Sequence, residues 1–180
     1  GIEVDPPVVN WNKMLSYKES MIKDNTRGIE YLFKKNKITL INGWASFIDK
    51  NTISVDTKNY AANYFVIATG SEATSLKNIE FDEKVIVSST GALELKKIPE
   101  KMIIVGAGVI GLEMGSIYSR LGTEVTVLEF FDKVLNGMDH DISKNFKSIL
   151  QRQGFKFHLN CSVSMIAKEK KGVKVTFQQV

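Results

Sequence analysis

The sequence predicts an α/β fold, and three observations support that class. A nearly unbroken apolar run over residues 64–68 is typical of a strand buried on both faces. From residue 102 onward, the pattern alternates between strand and helix, with a glycine after each helix. Of the 180 residues, 43% are hydrophobic and 24% are charged, which is ordinary for a chain large enough to bury a core.

The first part of the chain is predicted to hold one long helix followed by short strands. Residues 1–9 form an extended lead-in, because Pro6 and Pro7 oppose helix formation. Asn10 is a good N-cap, and apolar residues at mostly helical spacing predict a helix over about 10–35. Strands are expected at 38–41, 44–48, 52–55 and 64–68.

The second part is predicted to be a regular alternation of elements. The connection at 72–98 holds a short strand at 85–87 and a short helix that is capped by Ser89 and runs to Leu95. Beyond Pro99 we expect strands at 102–105, 124–128 and 155–159, helices at 110–121 and from Asp139 or Asp141 to 153, and a hairpin of 163–167 with 173–177.

A glycine-rich turn joins the strand at 102–105 to the next helix. It reads Gly106-Ala107-Gly108-Val109-Ile110-Gly111, with the spacing GxGxxG. The spacing alone is weak, but a strand before it and a helix after it provide the context of a dinucleotide site. Gly106 allows the tight turn, Gly108 lets the backbone approach a pyrophosphate, and Gly111 lets the helix pack on the strand. The N–H groups at the helix start then favour phosphate.

Two acids accompany this turn. Glu129 follows the strand at 124–128, about 20 residues after the glycines, where a carboxylate accepts the ribose hydroxyls and repels a 2′-phosphate. It therefore favours NAD over NADP, the alternative being an ordinary acid at a strand end. Glu113 is left open by its position, because any acid near a helix start is stabilising on general grounds.

Charge, cysteine and histidine content predict what the chain does not bind. A net charge of +4 in scattered lysines indicates no nucleic acid partner. A lone cysteine, Cys161, forms no internal disulfide, and His140 and His158 have no metal-ligand spacing, so no metal site is expected. No apolar run reaches about 18 residues, so no membrane span is expected.

The absence of an initiator Met suggests an internal piece of a longer protein.

Longer stretches resemble the dihydrolipoamide dehydrogenase group of the flavoprotein pyridine nucleotide-disulfide oxidoreductases. They are GAGVIGLEMG from Gly106 with Arg120-Leu121-Gly122, and the segments 87–93, 96–102, 141–146 and 153–157. The resemblance runs from about residue 10 to the end. It implies that residues 1–99 are part of a split FAD-binding domain with three β/β/α layers. Residues 100–180 would be a Rossmann-like NAD-binding domain, incomplete at its C-terminus.

The resemblance also implies two sets of binding residues. The NAD set is Gly106, Ala107, Gly108, Val109, Ile110, Gly111, Leu112, Glu113, Glu129 and Val163. In it, Glu113 resembles an acid beside the nicotinamide and flavin, and Val163 an adenine-side contact. The FAD set is Ala45, Thr69, Gly70 and Ser71. Ala45 departs from the glycine that family members often carry at this position.

By resemblance, the parent protein oxidises dihydrolipoamide with NAD through FAD and a redox-active cysteine pair. That pair and the C-terminal His–Glu base match nothing here, so the resemblance places no catalytic residue in this chain and implies that it is inactive alone. The implied partners are lipoyl domains of 2-oxoacid dehydrogenase complexes and a second subunit of a homodimer, in the mitochondrial matrix. The alternatives are a non-catalytic dinucleotide-binding fragment, a related flavin disulfide reductase, or an interaction protein built on this fold.

Overall fold

The computed structural model describes residues 1, 5, 7–77 and 79–180. Its elements in chain order are α1 (Trp11–Lys35), β1 (Ala45–Asp49), β2 (Thr52–Val55), β3 (Lys58–Ala61), α2 (Ser89–Ala92), β4 (Lys101–Val105), α3 (Val109–Arg120), β5 (Glu124–Leu128), α4 (His140–Arg152), β6 (Lys156–His158), β7 (Cys161–Glu169) and β8 (Gly172–Gln179). They fall into two compact units, one of residues 13–72 and one of residues 1–12 with 73–180. The predicted lead-in lies partly outside the described residues, at 2–4 and 6.

The unit of residues 13–72 contains most of α1 and an antiparallel sheet in the order β1-β2-β3. The helix predicted over 10–35 and the strands predicted at 44–48 and 52–55 are confirmed to within a residue. Strand β3 was not predicted, because its sequence KNYA carries little apolar character. It forms because its backbone pairs with β2, from Ala61 opposite Thr52 to Lys58 opposite Val55.

The strands predicted at 38–41 and 64–68 are wrong, since neither segment joins a sheet. Residues 64–68 are not buried on both faces either, because Val66 is 91% exposed and Ile67 is 74% exposed. The segment touches β1 through Phe65, whose ring meets that of Phe47 edge to face at 5.1 Å. An apolar run becomes a strand only where a neighbouring strand accepts its hydrogen bonds.

The unit of residues 1–12 and 73–180 is built on a parallel sheet in the order β4-β5-β6. Helix α3 connects β4 to β5, and α4 connects β5 to β6. Gly122 and Gly154 follow these helices with φ of +96° and +95°, a conformation that favours glycine and ends a helix. The alternation predicted from residue 102 onward is therefore confirmed, and the hairpin is longer than predicted.

The buried core of this unit surrounds the central strand β5. Val125 and Val127 of β5 are almost fully buried, together with Leu112 of α3, Leu150 of α4 and Phe155 before β6. Because β5 is hydrogen-bonded on both edges and covered by side chains from both helices, its end is fixed in position. The residue that follows β5 is Glu129.

The connection before β4 differs from its prediction. Residues 85–87 are not a strand, because the Asp82 carboxylate accepts the N–H groups of Lys84, Val85 and Ile86 and holds them in a turn. The N-cap of α2 is Ser88 rather than Ser89, and the helix ends at Ala92 rather than Leu95.

Candidate nucleotide-binding site

The glycine-rich turn lies between the end of β4 and the start of α3. Gly106 has φ of +97°, in the left-handed region that side-chain-bearing residues avoid. Its N–H donates to the Leu128 carbonyl at 2.8 Å, which holds the turn against the end of β5. The tight-turn role predicted for Gly106 therefore has a conformational basis.

Gly108 is the N-cap of α3, and no side chain in the described structure caps that helix. A Cβ added at Gly108 would meet no described atom within 4 Å. Open space therefore adjoins the start of a 12-residue helix, where backbone N–H groups and the helix dipole favour an anion. Such an uncapped helix start with open space beside it is chemically suited to an anionic group.

Two further glycines keep α3 close to the sheet. A Cβ at Gly111 would lie 2.9 Å from Ile104 Cγ2 and 3.0 Å from the Gly106 carbonyl oxygen. One at Gly115 would lie 2.7 Å from Ile104 Cδ1 and 2.9 Å from Phe155 Cε1. The sequence assigned this packing role to Gly111 but not to Gly115. The signal was a second glycine one helical turn later on the same face of α3.

Glu129 lies beside the glycine turn. It is 8% exposed, and its Oε2 accepts a hydrogen bond from the Ala107 N–H, 22 positions earlier in the chain. Its Oε1 accepts the Phe131 N–H at 2.8 Å. The fold thus brings Glu129 into contact with the glycine turn, although the two are 22 positions apart in the sequence.

The other predicted NAD residues lie along α3 and β7. Ala107 and Leu112 are buried in the core, whereas Val109, Ile110 and Glu113 are exposed on the first turns of α3. Val163 is half-buried in β7. The same strand begins at Cys161, whose N–H donates to the Glu129 carbonyl at 2.9 Å. This bond ties the strand of Val163 to the end of β5.

The predicted FAD residues belong to the unit of residues 13–72. Ala45 is the first residue of β1 and pairs with Val55. Thr69, Gly70 and Ser71 are exposed in an irregular segment, where Gly70 has φ of +73°. Their role toward FAD stays a prediction.

Other chemistry is limited among the described residues. They contain no group of three or more His, Cys, Asp or Glu side chains arranged to hold a metal ion. Cys161 is buried, and its thiol donates to the His158 carbonyl at 3.2 Å. None of the described helices combines the length and apolarity needed to cross a bilayer.

A cavity of about 920 Å³ lies on the β4 side of the parallel sheet. Ile103 and Val105 of β4, Met114 of α3 and Val173 and Val175 of β8 contribute to its wall. Of the predicted NAD residues, Ile110 and Gly111 line this cavity, whereas Gly106, Gly108 and Glu129 do not.

The chain belongs to the pyridine nucleotide-disulphide oxidoreductase family, whose sequence profile matches residues 5–180. Among curated relatives, the mitochondrial dihydrolipoyl dehydrogenase of Homo sapiens is 47% identical over 183 residues. That alignment covers 96% of this chain and 35% of the relative. Dihydrolipoyl dehydrogenase 1, mitochondrial, of Arabidopsis thaliana is 45% identical, with 99% of this chain and 36% of the relative covered. The chain therefore spans about a third of the length of these relatives, and the resemblance stated from the sequence is confirmed.

Two solved structures share the fold. LpdA from Mycobacterium tuberculosis matches with a TM-score of 0.86 over 95% of this chain and 40% of its own, at 21% identity. The flavoprotein disulfide reductase RclA from Escherichia coli, solved as a Cu(II) complex, matches with a TM-score of 0.78 at 26% identity, over 96% of this chain and 40% of its own. The predicted α/β class, with Rossmann-like nucleotide-binding architecture, is confirmed.

Proposed function

We propose that this chain supplies the NAD-binding part of an FAD-dependent dihydrolipoamide dehydrogenase. The observation that carries the proposal is the hydrogen bond from the Ala107 N–H to the Glu129 carboxylate. The Glu129 carboxylate thus lies beside a helix start that has no side-chain cap and faces open space. An acid at a strand end next to a glycine turn is the arrangement that a dinucleotide site requires, and this contact supports the proposal.

Each residue of the site has a role in this proposal. The turn from Gly106 to Gly111 holds the pyrophosphate through backbone N–H groups and the dipole of α3. Glu129 accepts the adenosine ribose hydroxyls and disfavours a 2′-phosphate by charge repulsion. Val163 contacts the adenine side, and the exposed Glu113 lies toward the nicotinamide.

The chemistry of such an enzyme resides in its cofactors, and NAD accepts a hydride when bound. This chain's residues bind and orient NAD, while Ala45, Thr69, Gly70 and Ser71 contribute FAD contacts. Cys161 is the chain's one cysteine and is buried, so we do not assign it to the redox pair. We therefore expect the isolated chain to bind nucleotide without catalysing turnover.

The wider setting is proposed by likeness to the relatives. Several are named as mitochondrial, which supports a mitochondrial matrix location for the parent protein. We further propose that it acts on dihydrolipoamide carried by lipoyl domains of 2-oxoacid dehydrogenase complexes, works as a homodimer and contributes to cell redox homeostasis. A related flavin disulfide reductase is the second candidate, because RclA shares the fold at 26% identity.

A calorimetric titration of the chain with NADH, and with NADPH as the control, tests the proposal. We expect NADH to bind at least about tenfold more tightly, since the 2′-phosphate of NADPH meets the Glu129 carboxylate. Glu129→Ala is expected to remove this preference. Equal or tighter NADPH binding by the unmodified chain would favour a different reductase, and binding of neither nucleotide would contradict an NAD site in this chain.

A further inference from the structure

The backbone of Ala107 is hydrogen-bonded on both of its sides. Its N–H donates to Glu129 Oε2, and its carbonyl accepts the Leu135 N–H at 2.9 Å. The neighbouring Gly106 N–H donates to the Leu128 carbonyl at 2.8 Å. The glycine turn is thus fastened to the chain segment that runs from the end of β5 to Leu135.

The side chain that holds this peptide is itself fixed. Oε1 of Glu129 accepts the Phe131 N–H at 2.8 Å. The backbone N–H of Glu129 donates to the His158 carbonyl at 2.8 Å, and its carbonyl accepts the Cys161 N–H at 2.9 Å. Each carboxylate oxygen therefore accepts a backbone N–H group, and the residue is nearly buried.

We propose that Glu129 is a positioning residue for the phosphate-binding turn, in addition to its proposed role as a ribose ligand. By accepting the Ala107 N–H, it sets the turn's conformation before a nucleotide arrives. A hydrogen bond to a carboxylate is about twice as strong as one between neutral groups. Each oxygen keeps further acceptor capacity, so ribose hydroxyls can bind without displacing the backbone donors. This inference rests on the proposed NAD site.

Glu129→Gln tests the positioning role, because it keeps the shape of the side chain but removes its charge and replaces one acceptor oxygen with an NH₂ group. That group would face either the Ala107 N–H or the Phe131 N–H, donor against donor. The matched control is Asp139→Asn. Asp139 is also a carboxylate that accepts two backbone N–H groups, those of Asp141 and Ile142, but at the start of α4.

The first measurement is hydrogen exchange of the Ala107 amide in the full chain without ligand. We expect the exchange to be at least about tenfold faster in Glu129→Gln, since a charge-assisted bond is lost, and unchanged in Asp139→Asn. Unchanged exchange at Ala107 in Glu129→Gln would overturn the positioning role, whatever the chain binds. If Glu129→Gln does not fold, Glu129→Asp keeps the charge with a shorter reach, and its Ala107 amide should also exchange faster.

The second measurement compares how tightly ADP and 2′,3′-dideoxy-ADP bind. Each nucleotide competes with NADH for the site, and the fluorescence of NADH reports its displacement. A positioning role predicts that Glu129→Gln weakens 2′,3′-dideoxy-ADP by about tenfold, because this nucleotide carries the diphosphate that the turn holds but no ribose hydroxyls. ADP should be weakened by a larger factor, since it also loses the proposed ribose contact. If only ADP is weakened, Glu129 acts on the ribose alone, so the proposed function stands and the positioning role fails. If the unmodified chain binds neither nucleotide, the site and the inference fail together.

Discussion

Gly108 is the N-cap of α3 and Gly111 lies in the first turn of that helix. The surroundings that a Cβ atom would meet differ between the two positions. A Cβ at Gly108 would enter open space, with no described atom within 4 Å. A Cβ at Gly111 would lie 2.9 Å from Ile104 Cγ2. Gly108 therefore borders open space, whereas Gly111 allows α3 to pack closely on β4.

This difference predicts opposite outcomes for two alanine substitutions. Gly108→Ala should change the free energy of unfolding by less than about 1 kcal/mol, because the methyl group meets nothing and φ is −76°. It should weaken NADH binding at least about tenfold by filling the pyrophosphate's approach. Gly111→Ala should cost about 1–3 kcal/mol of stability through overpacking. Denaturant unfolding and NADH titration of both variants check this, and a Gly108→Ala chain that binds NADH normally would contradict it.

The site residues were predictable where position along an element decides their role. The glycines and Glu129 follow from a strand end, a turn and a helix start, all of which are local. The bond between Glu129 and Ala107 was not predictable, because it depends on how two turns approach each other across 22 positions.

At the scale of elements, the connection at 82–88 shows how one side chain overrides an apolar run. Residues 85–87 resemble a strand in sequence, but Asp82 accepts three of the backbone N–H groups that a strand would need. Its other oxygen accepts from Lys168 Nζ of β7 at 2.8 Å. This ion pair and these hydrogen bonds hold the pKa of the Asp82 carboxyl well below its usual range, with Lys168 the largest cause.

The lowered pKa predicts a pH-dependent contribution of Asp82 to stability. Since the pKa is lower in the folded chain than in the unfolded one, the contribution is present above about pH 4 and falls as the pH drops further. Asp82→Asn should therefore lower the melting temperature at pH 7, and the gap to the unmodified chain should narrow towards pH 3.

Thermal unfolding of both chains across this pH range measures the gap. Lys168→Met removes the largest cause of the pKa shift but keeps the three backbone donors, so it should weaken the pH dependence without abolishing it. An equal gap between Asp82→Asn and the unmodified chain at pH 3 and pH 7 would contradict the assignment.

At the scale of the whole molecule, the fold class was predictable, because strand–helix alternation with glycine-ended helices dictates a parallel sheet. Which segments form the sheets was harder to predict from the sequence. The polar KNYA segment forms β3, while the apolar residues 64–68 pair with no strand. Hydrophobicity alone did not decide the outcome, because the apolar residues Tyr64, Val66 and Ile67 are largely exposed. Which strand a segment pairs with depends on residues far along the chain.

Exposed apolar side chains in the unit of residues 13–72 predict that the isolated chain self-associates. Tyr64 and Val66 are each 91% exposed and Ile67 is 74% exposed, while none of the described residues of α1 is buried. Apolar surface of this kind favours association over solvation. Sedimentation velocity should show oligomers that grow with concentration up to about 100 µM, within the range where exposed apolar surface drives association.

Replacing one exposed valine with a charged lysine tests which surface causes the self-association. Val66→Lys should shift the distribution towards monomer, whereas Val180→Lys, at a 67% exposed position in the other unit, should leave it unchanged. A single monomeric species of the unmodified chain at every concentration would contradict the prediction. Equal effects of the two lysines would show that net charge, rather than the apolar surface of residues 64–67, controls association.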